Sequence, residues 1–294
     1  MKIVVSIPAF NESETISKVL MEIKEVMHKS NYNFDILVVD DGSKDETAKL
    51  AKEAGAIVYS HPYNHGLAKA FKTEIQESLK LDADLIVHTD ADGQYLAKDI
   101  PRLIEEIKEG YDLVLGNRFT GGIEKMPFLK KLGNKAFSKA ISKIIKFKVG
   151  DCQTGFRAFT RKVAEEIEIV SDHTYTQEQI IKSVRQGFKI KEIPTYFAER
   201  IGGRSRLMKN PFQYAFNAWK NIIRIYRDYE PLRFFGRIGL LFFTLGFLIG
   251  LWLTVLFFIT GKVEHTSTVI LGTLLMLTGI QIVLFGFLAD MRKK

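Results

Sequence analysis

Cysteine is almost absent. Cys152 is the single cysteine in 294 residues, so no disulfide can form within the chain and a disulfide-stapled secreted scaffold is excluded. A lone thiol of this kind reads as a packing residue rather than a nucleophile. Two nucleotide-binding signatures are missing as well. Where a dinucleotide fold would carry Gly-x-Gly-x-x-Gly after its first strand, the sequence has Ile7-Pro8-Ala9-Phe10-Asn11-Glu12, which argues against that fingerprint. There is no Walker A loop, so phosphates would have to be held through a metal. Met1-Lys2 leads into a five-residue apolar run stopped by Pro8, too short for the core of a secretory signal peptide. No internal repeat or low-complexity linker interrupts the chain.

Charge is also missing in two places. Ile238–Thr260 is 23 residues without a charged side chain, and Thr266–Ala289 is another 24. At about 1.5 Å of rise per residue, each is long enough as a helix to cross a hydrocarbon layer of about 30 Å. The expectation is two transmembrane helices, about 238–260 and 266–289, joined by the short segment 261–265. The charge that is present is uneven. Of the net +8, a large share lies between Arg200 and Arg237, where nine Lys/Arg face only Asp228 and Glu230. Arg292, Lys293 and Lys294 follow the second apolar run. Basic flanks on both sides predict a hairpin in the cell membrane with the N-terminal domain in the cytoplasm. A basic block beside a membrane span suits anionic headgroups, and no nucleic-acid partner is expected. Between them, Phe212, Ala215, Phe216, Trp219, Ile222, Ile223 and Tyr226 share one helical face while Lys220, Arg224 and Arg227 fall largely elsewhere. That pattern predicts an amphipathic helix in the bilayer interface. Helix 134–145 is a second candidate interfacial element.

The first two hundred residues alternate differently. Lys2–Ile7, Phe34–Val39, Ala56–Tyr59, Leu85–His88 and Asp112–Leu115 read as buried strands. Between them lie apolar residues at helical spacing, as in Ile16, Val19, Leu20, Ile23, Val26 and Met27. Strand–helix alternation predicts a mostly parallel sheet covered on both faces. The fourth of these strands stops at Asp90-Ala91-Asp92-Gly93-Gln94. In open α/β sheets, ligands bind beyond the carboxyl ends of the strands. Hard oxygen ligands suit Mg²⁺ or Mn²⁺, which one or two carboxylates hold together with substrate phosphates. Asp90, Asp92 and Gln94 are therefore the candidate metal ligands, opposed by the plainer reading of a capped strand-to-helix turn. Asp40 and Asp41 end the second strand. One is expected to cap the following turn, as Asp41 or Ser43 could before Lys44-Asp45-Glu46. The other, assigned as Asp40, is expected to face the ligand.

Taken in order, Pro8-Ala9-Phe10-Asn11-Glu12, Val39-Asp40-Asp41-Gly42-Ser43, Asp90-Ala91-Asp92-Gly93-Gln94, Gly116-Asn117-Arg118-Phe119, Cys152-Gln153-Thr154-Gly155-Phe156-Arg157 and Gly203-Arg204-Ser205-Arg206 carry a resemblance. Over residues 1–206 the chain resembles family 2 glycosyltransferases of the GT-A fold, a Rossmann-like α/β fold. Within them it resembles the polyprenyl-phosphate glycosyltransferases of the dolichyl-phosphate mannose synthase type. The resemblance implies three regions: a GT-A domain at 1–206, a juxtamembrane amphipathic helix at 207–233, and a two-helix membrane hairpin at 234–294. It implies a nucleotide-sugar donor, a polyprenyl (dolichyl) phosphate acceptor, membrane lipids as surroundings, and inversion at the anomeric carbon. A homo-oligomer is compatible with a two-span anchor.

By position, the resemblance assigns Pro8, Phe10, Glu12, Val39, Asp40, Asp90 and Ala91 to the nucleotide, and Asp90, Asp92 and Gln94 to the metal. It assigns Asp92, Arg118, Arg200, Ser205 and Arg206 to catalysis, and Arg118, Lys131 and Arg206 to the acceptor phosphate. There are departures. Gly93 and Arg206 replace a larger apolar residue and a lysine common in the family. Glu178, in Tyr175-Thr176-Gln177-Glu178, stands where many members carry an acidic base, and the sequence leaves its role open. A lipid monophosphate needs no such base, because its second pKa near 6 leaves it anionic at neutral pH. It needs cations instead, and arginine can grip phosphate oxygens bidentately. The rival readings are a transferase acting on a glycan hydroxyl and a catalytically silent membrane scaffold.

Overall fold

The computed structural model describes residues 1–171, 175–200, 211–262 and 266–291, the side chains of 211–218 and 221 excepted. Ser205 and Arg206 lie outside the described residues. The chain divides into two compact units, Met1–Pro211 and Phe212–Lys294.

The first unit alternates strands and helices. In order these are β1 Lys2–Ala9, α1 Ile16–Lys29, β2 Asn33–Asp40, α2 Thr47–Glu53, β3 Ile57–Ser60, α3 Leu67–Lys80, β4 Leu85–His88 and α4 Ile100–Lys108. There follow β5 Leu113–Asn117, α5 Arg118–Gly121, α6 Phe128–Ile145, β6 Arg157–Thr160, α7 Arg161–Glu166, α8 Thr176–Arg185 and β7 Ile190–Pro194. One seven-stranded sheet runs β3-β2-β1-β4-β6-β5-β7. Its central strands are buried on both faces, which is why β1 reads as a continuous apolar run rather than an alternating one. Ile16, Val19, Leu20, Ile23 and Met27 of α1 are buried at helical spacing and join the core with Ile3, Val5 and Ile7 of β1.

Three features of the sheet position the site. β1 runs through Pro8 to Ala9 rather than stopping at Ile7. The ladder with β4 ends at Ser6, so Pro8, which has no N–H to give, pairs only with Val39 of β2. The sheet is mixed: β6 is antiparallel to both β4 and β5, while the other four pairings are parallel. A reversed strand begins where its neighbours end. The register His88↔Arg157 therefore brings the 152–156 segment to the edge of the sheet where β4 stops. The third feature is the crossover. The chain leaves β1 toward β2 and β3 on one side, then returns to place β4 on the other. The gap between the ends of β1 and β4 is the switch point where such folds take ligands.

The second unit comprises α9 Pro211–Tyr229 (its first residue belonging to the first unit), α10 Pro231–Thr260 and α11 Thr266–Met291. α10 and α11 are long and apolar enough to cross a membrane. α10 starts seven residues before the uncharged run that announced it. The two helices lie antiparallel on a glycine seam. A Cβ on Gly239 would stand 2.5 Å from the Gly279 carbonyl oxygen, and one on Gly246 2.5 Å from that of Gly272. Seven-residue spacing keeps these glycines on one side of each helix, and their missing side chains let the backbones meet, as small residues do between membrane helices.

Candidate active site

A cleft of about 370 Å³ opens at the switch point, within the size range of small-ligand sites. Its wall comes from the loops after β1, β2 and β4, the start of α3, and Arg200. The loop after β1 is tied to the loop after β2. Ser43 Oγ accepts from the Asn11 N–H at 2.8 Å, Asn11 Oδ1 accepts from the Lys44 N–H at 2.7 Å, and Thr47 Oγ1 accepts from the Glu12 N–H at 2.8 Å. Asn11 does this with φ of 51°, a left-handed conformation that asparagine tolerates better than most residues. The outcome is a fixed position for Glu12, whose carboxylate pairs with Arg200. Arg200 Nε also stands 3.9 Å from Asp92 Oδ2.

Asp90 and Asp92 both line the cleft. The Asp92 carboxyl is pushed up to about 7, first by burial and then by the charge of Asp90; the Gln94 N–H, donating to it at 3.1 Å, and the Arg200 guanidinium pull it back only partly. Three carboxylates, those of Glu12, Asp90 and Asp92, thus share one arginine. The site is short of positive charge beside Asp92, and its donors are hard oxygens. Two carboxylates on one wall fit a divalent cation that completes its shell with water and phosphate.

A buried polar layer backs these aspartates. His88 is the last residue of β4 and is wholly buried. Its Nδ1 lies 2.7 Å from Glu74 Oε2, and its Nε2 lies 2.7 Å from the Tyr175 hydroxyl and 3.9 Å from Asp90 Oδ1. Tyr175 stacks on Phe71 at 4.0 Å. Gly155 supports Asp90 from the other side: a Cβ there would stand 3.1 Å from its Oδ1. The Gly155 N–H donates to the Tyr95 hydroxyl at 3.1 Å, and burial pushes that phenol up to about 12. Arg157, also wholly buried, donates to Gln179 Oε1 at 2.9 Å and to the carbonyls of Thr154 and Thr176. Burial lowers the pKa of its guanidinium.

Of the residues the sequence nominated, Pro8, Phe10, Glu12, Asp90, Ala91, Asp92 and Arg200 meet in the cleft. Val39, Asp40, Gln94, Arg118 and Lys131 are not among its lining residues. Val39 is wholly buried in β2. Asp40 accepts from the Ser43 N–H at 3.0 Å, closing its own turn. The neighbouring Asp41 is the one in the cleft, where it accepts from the N–H groups of His65 and Gly66 at 3.0 and 2.8 Å and lies 2.7 Å from His61 Nδ1. Both aspartates therefore make turn-closing bonds, and of the two it is Asp41, not the expected Asp40, that stands in the cleft wall.

Gln94 donates its side-chain amide to the Ala198 carbonyl at 3.1 Å, and so pins the 197–199 strip to the loop after β4. Arg118 is buried in a bidentate pair with Asp151, Nε to Oδ2 at 2.6 Å and Nη2 to Oδ1 at 2.8 Å, and is not free in the cleft. Lys131 is exposed on α6. Its neighbour Lys130 points inward instead, and its ammonium pKa is lowered by burial and by Arg118 against the pull of Asp92. Glu178 accepts from the N–H groups of Val170 and Ser171 at 2.9 and 2.8 Å and pairs with Lys182 at 2.9 Å, which commits it to anchoring a loop. Sequence reading did not assign Asp41, Asn64, Gly66 and Leu67, which line the cleft, or Lys130, which does not line it but lies within electrostatic reach of Asp92. Of these, only Asp41 was singled out by the sequence, as the expected cap beside Asp40.

The sequence model described as glycosyl transferase family 2 matches residues 4–168. A dolichyl-phosphate hexose transferase of Haloferax volcanii is 31% identical over 217 residues, covering 74% of this chain and 90% of that one. A prophage bactoprenol glucosyl transferase homolog of Escherichia coli is 28% identical over 301 residues, covering 99% and 93%. Among solved structures, glucosyl-3-phosphoglycerate synthase of Mycobacterium tuberculosis, in complex with Mn²⁺, UDP-glucose and phosphoglyceric acid, superposes with a TM-score of 0.60 at 19% identity, over 76% of this chain and 79% of that one. The last likeness is one of fold, the GT-A architecture. With the acidic cleft at the switch point of that fold, the chain belongs to glycosyl transferase family 2.

Proposed function

We propose that the protein moves a sugar from a nucleotide diphosphate donor to a polyprenyl (dolichyl) phosphate at the cytoplasmic face of the cell membrane, with inversion. The observation that carries the reading is the cleft where Asp90, Asp92, Glu12 and Arg200 converge. Asp90 and Asp92 would hold Mg²⁺ or Mn²⁺, and that ion would offset the negative charge of the donor's diphosphate. Pro8, Phe10 and Asp41 would border the nucleoside. Arg200 would exchange its carboxylate partners for phosphate oxygens, and Lys130 would supply the cation toward the acceptor. The sequence-nominated Ser205 and Arg206 would join them from the segment just after Arg200.

Two things support an anionic lipid acceptor over a glycan hydroxyl. Glu178, the candidate base, is already engaged by two N–H groups and Lys182, whereas a phosphate monoester needs no base. The names of the Haloferax and Escherichia relatives and the two long apolar helices point the same way. The test is transfer of radiolabelled sugar into lipid extract, from GDP-mannose, UDP-glucose or UDP-N-acetylglucosamine in turn, with Mg²⁺ or Mn²⁺ and with EDTA. Label in the lipid from one donor, lost with EDTA, is expected. Label appearing only in a saccharide acceptor would overturn the reading.

A further inference from the structure

β6 opens on a charge in a sheet whose core is otherwise apolar. Along the β4–β6 ladder, Leu85, Ile86 and Val87 face Thr160, Phe159 and Ala158, and only the last pair, His88 and Arg157, is polar on both sides. Both residues are wholly buried. His88 has a carboxylate partner in Glu74. Arg157 bonds no carboxylate among the described residues. Its acceptors are the carbonyls of Thr154 and Thr176 and Gln179 Oε1, and its Nε–H has no partner there. Taking a guanidinium out of water without a carboxylate to meet it is unfavourable. An apolar side chain of similar length would avoid that cost, so the position is explained by what the guanidinium holds.

It holds two segments at once. Nη2 donates to the carbonyl of Thr154, the residue before Gly155. Nη1 donates to the Thr176 carbonyl at 3.2 Å and to Gln179 Oε1 at 2.9 Å, both in the first turn of α8. The guanidinium carbon stands 5.2 Å from the centre of the Tyr175 ring. The 152–156 segment and the start of α8 are thereby tied together by one planar fork whose donors point in fixed directions. Each segment controls one neighbour of Asp90. On one side is Gly155, where a Cβ would stand 3.1 Å from Oδ1 and 3.2 Å from Oδ2. On the other is His88, whose Nε2 is 3.9 Å from Oδ1 and 2.7 Å from the Tyr175 hydroxyl.

We propose that Arg157 is a positioning residue for Asp90: its fork holds Gly155 and, through Tyr175, His88 against the two sides of that carboxylate and keeps it turned into the cleft. Arg157 itself touches neither donor nor acceptor. The inference rests on the reading of Asp90 as a metal ligand. Residues that orient a metal-binding side chain change metal affinity by about 10–100-fold when they are removed. Lysine cannot take the place of the arginine, because one ammonium on a flexible stem does not span the Thr154 carbonyl and the first turn of α8 together.

The test is Mn²⁺ binding to the full chain in detergent, with UDP or GDP present, read by electron paramagnetic resonance of the free ion. Arg157→Met and Arg157→Lys are each expected to raise the Kd for Mn²⁺ by about 10-fold or more, while affinity for the nucleotide without metal, read by calorimetry, is unchanged. A merely architectural arginine would lower the thermal midpoint and leave the Mn²⁺ Kd of the folded protein where it was, and that result overturns the inference. An Arg157→Lys protein that binds Mn²⁺ as the parent does also overturns it, because charge alone would then suffice. An equal loss of affinity for the nucleotide alone spreads the effect over the whole cleft and overturns it as well. Where the arginine variants do not fold, Gln179→Leu removes one acceptor and leaves Arg157 in place; it is expected to raise the Mn²⁺ Kd several-fold, and an unchanged Kd there counts as refutation. Asp90→Asn is the control for the underlying reading. If it binds Mn²⁺ as tightly as the parent, or if the parent binds none, the metal assignment of Asp90 fails and this inference fails with it.

Discussion

Asp92 is held in a place that opposes its own charge. Burial and Asp90 raise its carboxyl to about 7, against an ordinary value of 3.8. A carboxyl whose pKa rises on folding binds its proton more tightly in the folded state, so its contribution to stability is best below pH 4, falls as pH rises toward 7, and is constant above. The metal-free protein is therefore expected to lose thermal stability across that window, and Asp92→Asn to lose less, so that at pH 8 the variant melts no lower than the parent. Mn²⁺ should raise the melting temperature of the parent at pH 8 and leave that of the variant unmoved, while the variant transfers no sugar. Equal metal response in both proteins would remove Asp92 from the ligand set. Gly155→Ala probes Asp90 in the same way: a methyl group 3.1 Å from Oδ1 is expected to weaken Mn²⁺ binding, read by calorimetry, with little loss of stability. Asp90 and Asp92, which both line the cleft, stood out in the sequence because they follow a short buried strand and stand two apart. At two other places the sequence does not choose between neighbouring residues, for a geometric reason. Successive residues at a strand end point to opposite faces, so Asp40 and Asp41 could not be told apart without the turn that follows. Successive residues on a helix differ by about 100°, so whether Lys130 or Lys131 turns inward depends on which face of α6 is buried.

Elements with a long apolar signature could be read directly from the sequence, and those defined by pairing could not. α1 and β1 announced themselves by period, as did the uncharged stretches of α10 and α11. β6 is four residues, Arg-Ala-Phe-Thr, beginning with a buried arginine, and nothing local shows that it runs against its neighbours. Its reversal is what carries Gly155 to Asp90 and Asp151 to Arg118. The Arg118–Asp151 pair fastens the start of α5 to the loop before β6, and Asp151 also accepts from the Arg118 N–H at 3.3 Å. Both side chains are buried, so removing one partner strands a charge. Asp151→Ala is expected to cost about 3–5 kcal/mol by urea unfolding, as for other broken buried pairs. A matched Arg118→Met with Asp151→Leu should recover much of that stability. If Arg118 nevertheless leaves Asp151 for phosphate during turnover, the double variant will be stable and inactive; stable and active protein would confine Arg118 to architecture.

At the scale of the whole molecule, each unit is closed by its own means. The first is built around an apolar sheet core, with the cleft at its switch point entirely within it. The second has no such core. α10 and α11 expose Leu, Phe and Ile along much of their length and are joined by the glycine seam. A leucine at Gly279 begins with a Cβ 2.6 Å from the Gly239 carbonyl oxygen and the Phe243 amide nitrogen. Neither backbone atom can rotate away, so the helices must separate, and the cost is expected to exceed the about 1–3 kcal/mol of ordinary overpacking. The chain carries its own reporter for this, because its two tryptophans, Trp219 and Trp252, both belong to the second unit. Gly279→Leu is expected to shift tryptophan emission and lower the midpoint of its thermal transition in detergent. Affinity for a nucleoside diphosphate with Mn²⁺, a property of the first unit, should be unchanged. If nucleotide affinity falls together with the tryptophan midpoint, the units stabilise one another and the cleft depends on the hairpin. If only the tryptophan signal moves, the hairpin is an independent element and its contribution to sugar transfer lies in presenting the acceptor.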